Sequence, residues 1–134
     1  TWFRHSSIKD LFKAIAATGR KVIITTDHGS IRVDKPIRIM GERNTNTNLR
    51  YKLGRNLDYN PKDVFEISNP IQAHLPAPNV STAYIFAMET DYFVYQNNFN
   101  SFATYYKDTF QHGGVSMEEM LIPLITLSSK QKAR

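Results

Sequence analysis

The chain has 134 residues and a net charge of +5, and 41% of its residues are hydrophobic, 12% aromatic and 22% charged, a balance typical of one globular domain. Cysteine is absent, which excludes disulfides and thiolate metal sites and is typical of a cytoplasmic protein. The longest apolar runs are far shorter than the roughly 20 residues that a membrane-spanning helix needs, so we expect no membrane insertion.

The first part of the chain predicts a helix, a buried strand and a long polar segment. Apolar residues recur at helical spacing over residues 6–18, and Gly19 follows as a stop signal. Residues 21–26 are mostly β-branched and apolar at consecutive positions, which predicts a central parallel strand buried on both faces. Residues 30–60 are polar, and we expect a short strand at 36–40 followed by an irregular loop.

The second part predicts further strands and two helices. We expect a strand at residues 64–67 and a hairpin formed by residues 80–88 and 92–95 around a tight turn. Aromatic residues at helical spacing predict a helix with one apolar face, carried by Phe99, Phe102, Tyr106 and Phe110. Together with the end of the chain described next, this order predicts an α/β fold.

The spacing of Ser116 and Glu119 is that of a capping box, in which each side chain bonds the backbone of the other residue. We therefore expect a short helix to begin at Ser116. Because Pro123 follows closely, that helix has to end early. Residues 120–127 predict a final strand, in which Pro123 indicates a sheet edge or a bulge. The role of Ser116 as a cap explains it better than a role as a nucleophile.

Positive charge is concentrated between residues 29 and 56, where seven cations accompany only two acidic residues. The cations are Arg32, Lys35, Arg38, Arg43, Arg50, Lys52 and Arg55. Arginine binds phosphate through two parallel hydrogen bonds, and asparagine reads hydroxyls or base edges. We predict that Arg43, Asn46 and Arg50 contact an anionic substrate; the alternative is a solvated surface loop.

Three residues in two separate segments have side chains suited to a metal ion. Asp27 and His28 are adjacent at the end of the predicted strand at 21–26, and His112 precedes two glycines much later in the sequence. Carboxylate and imidazole groups are ligands for Zn²⁺ or Mn²⁺. The alternative is that the aspartate caps a loop and the histidines make local hydrogen bonds.

The two segments together resemble the PglZ family, a branch of the alkaline phosphatase superfamily. Residues 26–29 read Thr-Asp-His-Gly, and residues 112–114 read His-Gly-Gly, followed by the serine, the two glutamates and the proline of the second motif. The intervening residues 41–51 and 107–112 resemble the PglZ domains of response regulators linked to type IX secretion. The resemblance covers nearly the whole chain.

The resemblance implies a fold and a reaction. It implies that residues 1–128 are the C-terminal part of an alkaline-phosphatase-like three-layer sandwich with a mostly parallel central sheet, and that residues 129–134 are a flexible tail. It further implies a two-zinc phosphodiesterase or phosphatase for nucleotide-like or oligonucleotide-like phosphoesters. In that site Asp27 and His28 would ligate one zinc ion, and His112 would ligate the other.

The nucleophile and the remaining ligands of the family are not found in this sequence. The chain begins at Thr1, and we expect the missing groups in an upstream part of the same domain, so that this chain alone is inactive. The resemblance implies a cytoplasmic, two-component response regulator. Its implied partners are a secretion-system or sigma-factor protein and, at full length, a second copy of itself.

Two other functions compete with hydrolysis. The chain could be a non-catalytic docking module whose basic segment and aromatic cluster contact a secretion or transcription partner. A plain nucleic-acid binder would show affinity that falls steeply with salt, but no recognised binding motif supports it.

Overall fold

The computed structural model describes residues 1–41, 47–79 and 81–130. The helices are α1 (Trp2–His5), α2 (Ile8–Ala17), α3 (Phe99–Tyr106) and α4 (Met117–Met120). The strands are β1 (Val22–Thr25), β2 (Ile31–Arg32), β3 (Lys35–Ile39), β4 (Tyr51–Gly54), β5 (Val64–Ile67), β6 (Ala83–Ala87), β7 (Asp91–Tyr95), β8 (Phe110–Gln111) and β9 (Leu124–Leu127). In the described ranges, no helix is long and apolar enough to cross a membrane.

The chain divides into two compact units. Unit 1 consists of Thr1–Asp27 and the segment from Ile122 onward, and unit 2 is the continuous stretch His28–Leu121. Unit 1 contains α1, α2, β1 and β9, and unit 2 contains the other elements.

Unit 1 is built from the predicted first helix and the predicted first and last strands. Helix α2 ends at Ala17, and Gly19 adopts a positive φ of 72° just beyond it, as the stop signal predicts. Strand β1 pairs with β9, with Val22 opposite Leu127. The expectation of a central parallel strand is wrong here, because β9 runs antiparallel and Ile23 in β1 remains 66% exposed.

Unit 2 contains the buried core. Strands β3 and β7 run parallel, and β6 lies between β4 and β5 in an antiparallel sheet of three strands. Ile37 lies opposite Phe93, and both belong to one core cluster, whereas Tyr92 and Val94 of β7 belong to another. Since neighbouring residues of a strand point to opposite faces, the β3–β7 pair carries a core cluster on each face.

Several predicted elements differ from the structure. The predicted hairpin is wrong, because β6 pairs with β4 and β5 while β7 pairs with β3. The segment predicted as an irregular loop contains β4, and Phe110 belongs to β8 rather than to the helix that carries Phe99. The capping box at Ser116 and Glu119 is confirmed.

The mixed α/β class is confirmed, but its sheets differ from those expected. Among the described residues the sheets are small, and only the pair β3 and β7 runs parallel. These residues therefore do not show the mostly parallel central sheet that the resemblance implies.

Candidate functional site

The pairing of β2 with β8 brings the two predicted histidine ligands together. Ile31 lies opposite Gln111 in this antiparallel pair, so the start of β2 and the end of β8 share one end of the sheet. His28 comes shortly before β2, and His112 comes directly after β8. Their rings stack with a centroid separation of 3.8 Å and an interplanar angle of 11°.

A backbone carbonyl next to His28 selects the tautomer of its neutral ring. Its Nδ1 atom lies 2.7 Å from the carbonyl oxygen of Gly29. Because a carbonyl oxygen can only accept, Nδ1 carries a hydrogen and donates it, and in the neutral ring the lone pair is then on Nε2. A histidine whose one ring nitrogen donates to a carbonyl is the arrangement commonly found in metal ligands. Both histidines are exposed, so a metal ion has access to their rings, and imidazole is a ligand that zinc binds.

Asp27, the third predicted ligand, is the last residue of the first segment of unit 1. Its carboxylate accepts a hydrogen bond of 3.3 Å from the hydroxyl of Thr26. Across the residues that the structure describes, no three His, Asp or Glu side chains are arranged to hold one metal ion. The zinc site therefore stays a prediction. The structure brings together two of its three predicted ligands, His28 and His112.

A buried ion pair lies in unit 2, which also contains His28 and His112. The side chains of Arg50 and Glu119 are 0% and 2% exposed. Arg50 donates from Nε to Oε1 of Glu119 at 2.9 Å and from its terminal nitrogen to Oε2 at 2.8 Å. This two-pronged geometry is the strongest form of an arginine–carboxylate contact. Arg50 also donates to the backbone carbonyl of Asp91, so its guanidinium is held by β7 as well.

The carboxylate of Glu119 is surrounded by donors. Gly114 donates its backbone N–H at 2.9 Å, and Ser116 donates its hydroxyl at 2.8 Å. Burial alone would raise the pKa of Glu119, but the hydrogen bonds from Arg50, Gly114 and Ser116 hold that pKa below its ordinary value. Glu119 therefore carries a negative charge inside unit 2 at neutral pH.

The predicted substrate residues differ in where the structure places them. Arg43 and Asn46 lie outside the described residues. Arg50 is fully buried, and its guanidinium contacts Glu119 and Asp91 rather than solvent. The structure thus gives Arg50 a role inside the protein, and its contact with a substrate stays an untested prediction.

Asn48 belongs to this part of the molecule and was not expected from the sequence. Its side-chain oxygen accepts from the backbone N–H groups of Arg50 at 2.7 Å and Tyr51 at 3.1 Å. Its side-chain nitrogen donates to the carbonyl of His112 at 3.2 Å. An asparagine among other asparagines of a polar segment gives no signal in one sequence that would distinguish it.

The chain is similar to a known protein family. A family model described as the BREX system PglZ alkaline phosphatase-like domain matches residues 4–127. No curated protein matches the chain.

Proposed function

The chain belongs to the PglZ family of alkaline phosphatase-like domains, and from this premise we propose that it supplies metal ligands to a zinc-dependent phosphoesterase. The observation that supports the proposal best is the stacking of His28 on His112 at 3.8 Å. These residues come from the two motifs that carry the family resemblance, and the fold of unit 2 brings them together. Metal ions in two-metal sites lie about 3.5–4 Å apart, so ligands of neighbouring ions also lie close to one another.

We assign Asp27 and His28 to one zinc ion and His112 to the other. His28 presents its Nε2 lone pair, because Nδ1 donates to the carbonyl of Gly29. Two bound zinc ions would supply Lewis-acid stabilisation for the oxygens of a phosphoryl group. The nucleophile belongs to the upstream part of the same domain, and we assign no catalytic nucleophile within this chain.

The substrate we propose is a phosphodiester such as a nucleotide or an oligonucleotide. The excess of positive charge between residues 29 and 56 favours an anionic substrate. Arg43 and Asn46 are the proposed contacts, since the buried Arg50 reaches a substrate only if the ion pair with Glu119 opens.

We further propose that the parent protein is a cytoplasmic response regulator of the PorX type, which acts in type IX secretion. Support comes from the resemblance of residues 41–51 and 107–112 to the PglZ domains of those regulators. In this proposal the upstream part of the domain completes the zinc site, the full-length protein forms a homodimer, and a secretion-system or sigma-factor protein is its partner.

Zinc binding by this chain is the first test. We expect isothermal titration and elemental analysis to show bound zinc at neutral pH, and we expect His112→Ala to bind less zinc per chain because it loses the ion assigned to His112. His5→Ala is the matched control, because His5 is an exposed histidine in α1 outside both motifs. Zinc bound equally well by His112→Ala would contradict the assignment of His112.

Hydrolysis of a chromogenic phosphodiester is the second test. We expect no turnover by this chain with added zinc, and turnover by a longer protein that includes the upstream part of the domain. In the longer protein His28→Ala should abolish turnover while His5→Ala leaves it unchanged. Turnover by this chain alone, lost in Asp27→Ala, would show that the nucleophile lies within these residues.

A docking module is the second candidate function, and the surface of unit 1 supports it. Trp2, Ile23 and Leu124 are 71%, 66% and 75% exposed, which is unusual for large apolar side chains. In this alternative these side chains contact a protein partner. Substituting Trp2 and Leu124 with serine in the longer protein would then abolish partner binding and leave phosphodiester hydrolysis unchanged.

A further inference from the structure

Glu119 contacts the backbone next to each of the two stacked histidines. Its carbonyl oxygen accepts the N–H of Gly29 at 2.9 Å, one residue after His28. Its Oε1 atom accepts the N–H of Gly114 at 2.9 Å, two residues after His112. A single residue is therefore bonded to both of the segments that carry the rings.

A helix cap alone does not require this arrangement. The capping box is complete with the hydrogen bonds between Ser116 and Glu119. The two-pronged contact with Arg50 is not needed for the cap, and it removes a carboxylate and a guanidinium from water. Such burial is costly unless the geometry is good, so the pair has to be held in one arrangement.

The glycines beside the histidines allow the close approach. A Cβ atom on Gly29 would lie 1.9 Å from the backbone oxygen of Glu118, and one on Gly114 would lie 2.6 Å from Oε2 of Glu119. Neither distance is compatible with a side chain at these positions. Residues 29 and 114 therefore pack directly on α4 and on the carboxylate at its end.

We propose that Glu119 is the positioning residue that sets the separation of the His28 and His112 rings, and that Arg50 holds its carboxylate in place for this role. Asn48 adds a link between Arg50 and His112, since its side chain donates to the carbonyl of His112 and accepts from the backbone N–H of Arg50. The inference deepens the proposed function, because the rings that it concerns are the proposed zinc ligands.

The test compares Glu119→Gln with Glu118→Gln. A glutamine at 119 has to turn its NH₂ group towards one of the donors around it and leaves the charge of Arg50 without its partner. Glu118 is the neighbouring carboxylate, is exposed, and gives a variant with the same change of charge. The metal-free readout is the nuclear Overhauser effect between the ring protons of His28 and His112, and the metal-dependent readout is zinc affinity.

We expect the Overhauser effect in the natural protein and in Glu118→Gln, and we expect it to be lost in Glu119→Gln. Zinc affinity should fall by about 10–100-fold in Glu119→Gln, the usual effect of losing a group that orients metal ligands. A folded Glu119→Gln protein that keeps the Overhauser effect would overturn the proposal, as would a natural protein that lacks it.

Gly29→Ala is a second variant in case Glu119→Gln does not fold. Its methyl group displaces residue 29 from α4 without removing either charge of the Arg50–Glu119 pair, so we again expect the Overhauser effect to be lost. If Gly29→Ala keeps it, the proposal is wrong. Because the Overhauser effect needs no metal, a natural protein that shows it but binds no zinc would contradict the proposed function and leave the positioning role of Glu119 supported.

Discussion

The buried charge of Glu119 makes the stability of unit 2 depend on pH. Its pKa lies below the ordinary value of 4.5, so the folded protein binds a proton there less readily than the unfolded chain does. Its stabilising contribution is therefore fully present above about pH 4.5 and is lost as the pH falls through the lower pKa of the folded state.

Glu119→Gln should lower the free energy of unfolding by about 3–5 kcal/mol at pH 7, because it leaves a buried guanidinium without its partner. The difference from the natural protein should begin to shrink below about pH 4.5, where the unfolded natural chain takes up a proton at Glu119, and should vanish as the pH falls through the lower pKa of the folded state. Urea unfolding at pH 7 and in acid measures both quantities. A difference that stays constant with pH would contradict the ionised state assigned to Glu119.

Lys52 is a second buried ionisable group, but its charged form destabilises the fold, whereas that of Glu119 stabilises it. The residue is 1% exposed, its Nζ lies 4.5 Å from the centre of the Tyr95 ring, and burial lowers its pKa from 10.5 to about 8. The fold thus disfavours the ammonium form. Between about pH 8 and 10.5 the folded amine is neutral while the unfolded one is charged, so this group favours folding more as the pH rises.

Lys52→Met should raise the free energy of unfolding by about 1–3 kcal/mol at pH 7, because it removes the buried charge and keeps an unbranched side chain of similar length. The gain should diminish above about pH 8, where the natural lysine loses its proton in the folded state. Lys62→Met, at an exposed lysine, is the control and should change stability little. No gain for Lys52→Met at pH 7 would show that its ammonium group is well stabilised in the fold.

Sequence reasoning singled out the two histidines that stack in the structure better than it singled out the buried residues packed beside them. His28 and His112 are singled out by their motifs, and the structure brings them together. Glu119 was explained as a cap and Arg50 as a substrate contact. The reason is physical: a cation in a polar, cation-rich segment gives no sign of burial, since burial depends on partners distant in sequence.

Among the elements, α4 is the one whose start is set most clearly by local sequence. Ser116 is its N-cap: the side chain of Ser116 accepts from the backbone N–H of Glu119, and the side chain of Glu119 accepts from the backbone N–H of Ser116. Ser116→Ala should therefore lower the free energy of unfolding by about 1 kcal/mol, the usual cost of losing a cap. Ser101→Ala, an exposed serine within α3, should be neutral or slightly stabilising because alanine favours helix. Thermal unfolding of both variants measures the contrast, and equal effects would contradict the capping role.

The strands were predicted better than their partners. Residues 64–67 form β5 as expected, and residues 21–26 contain β1. A run of apolar residues indicates burial but does not specify which strand will pair or in which direction, so β1 was wrongly expected in a parallel sheet. The two-residue strands β2 and β8 are too short to show any periodicity, although they position both histidines.

At the scale of the whole molecule, burial is unevenly distributed. Within the described part of unit 1 no residue is buried, whereas unit 2 contains both core clusters. Amide hydrogens of β1 and β9 should therefore exchange with solvent much faster than those of β3 and β7. Hydrogen-exchange mass spectrometry on this chain measures the difference. Equal protection of β1 and β7 would mean that unit 1 is stabilised by more than its own packing.

The pairing of β1 with β9 also has a consequence for how the chain folds. Val22 pairs with Leu127, so a ribosome has to synthesise the chain at least as far as Leu127 before this sheet can be complete. In a random coil, joining such distant strands carries a loop-closure entropy that grows with the length between them. Unit 2 shortens that loop, because the hydrogen bond from Gly29 to Glu119 already holds its two ends together. We therefore expect unit 2 to fold first, and the pairing of β1 with β9 to follow at a lower entropic cost.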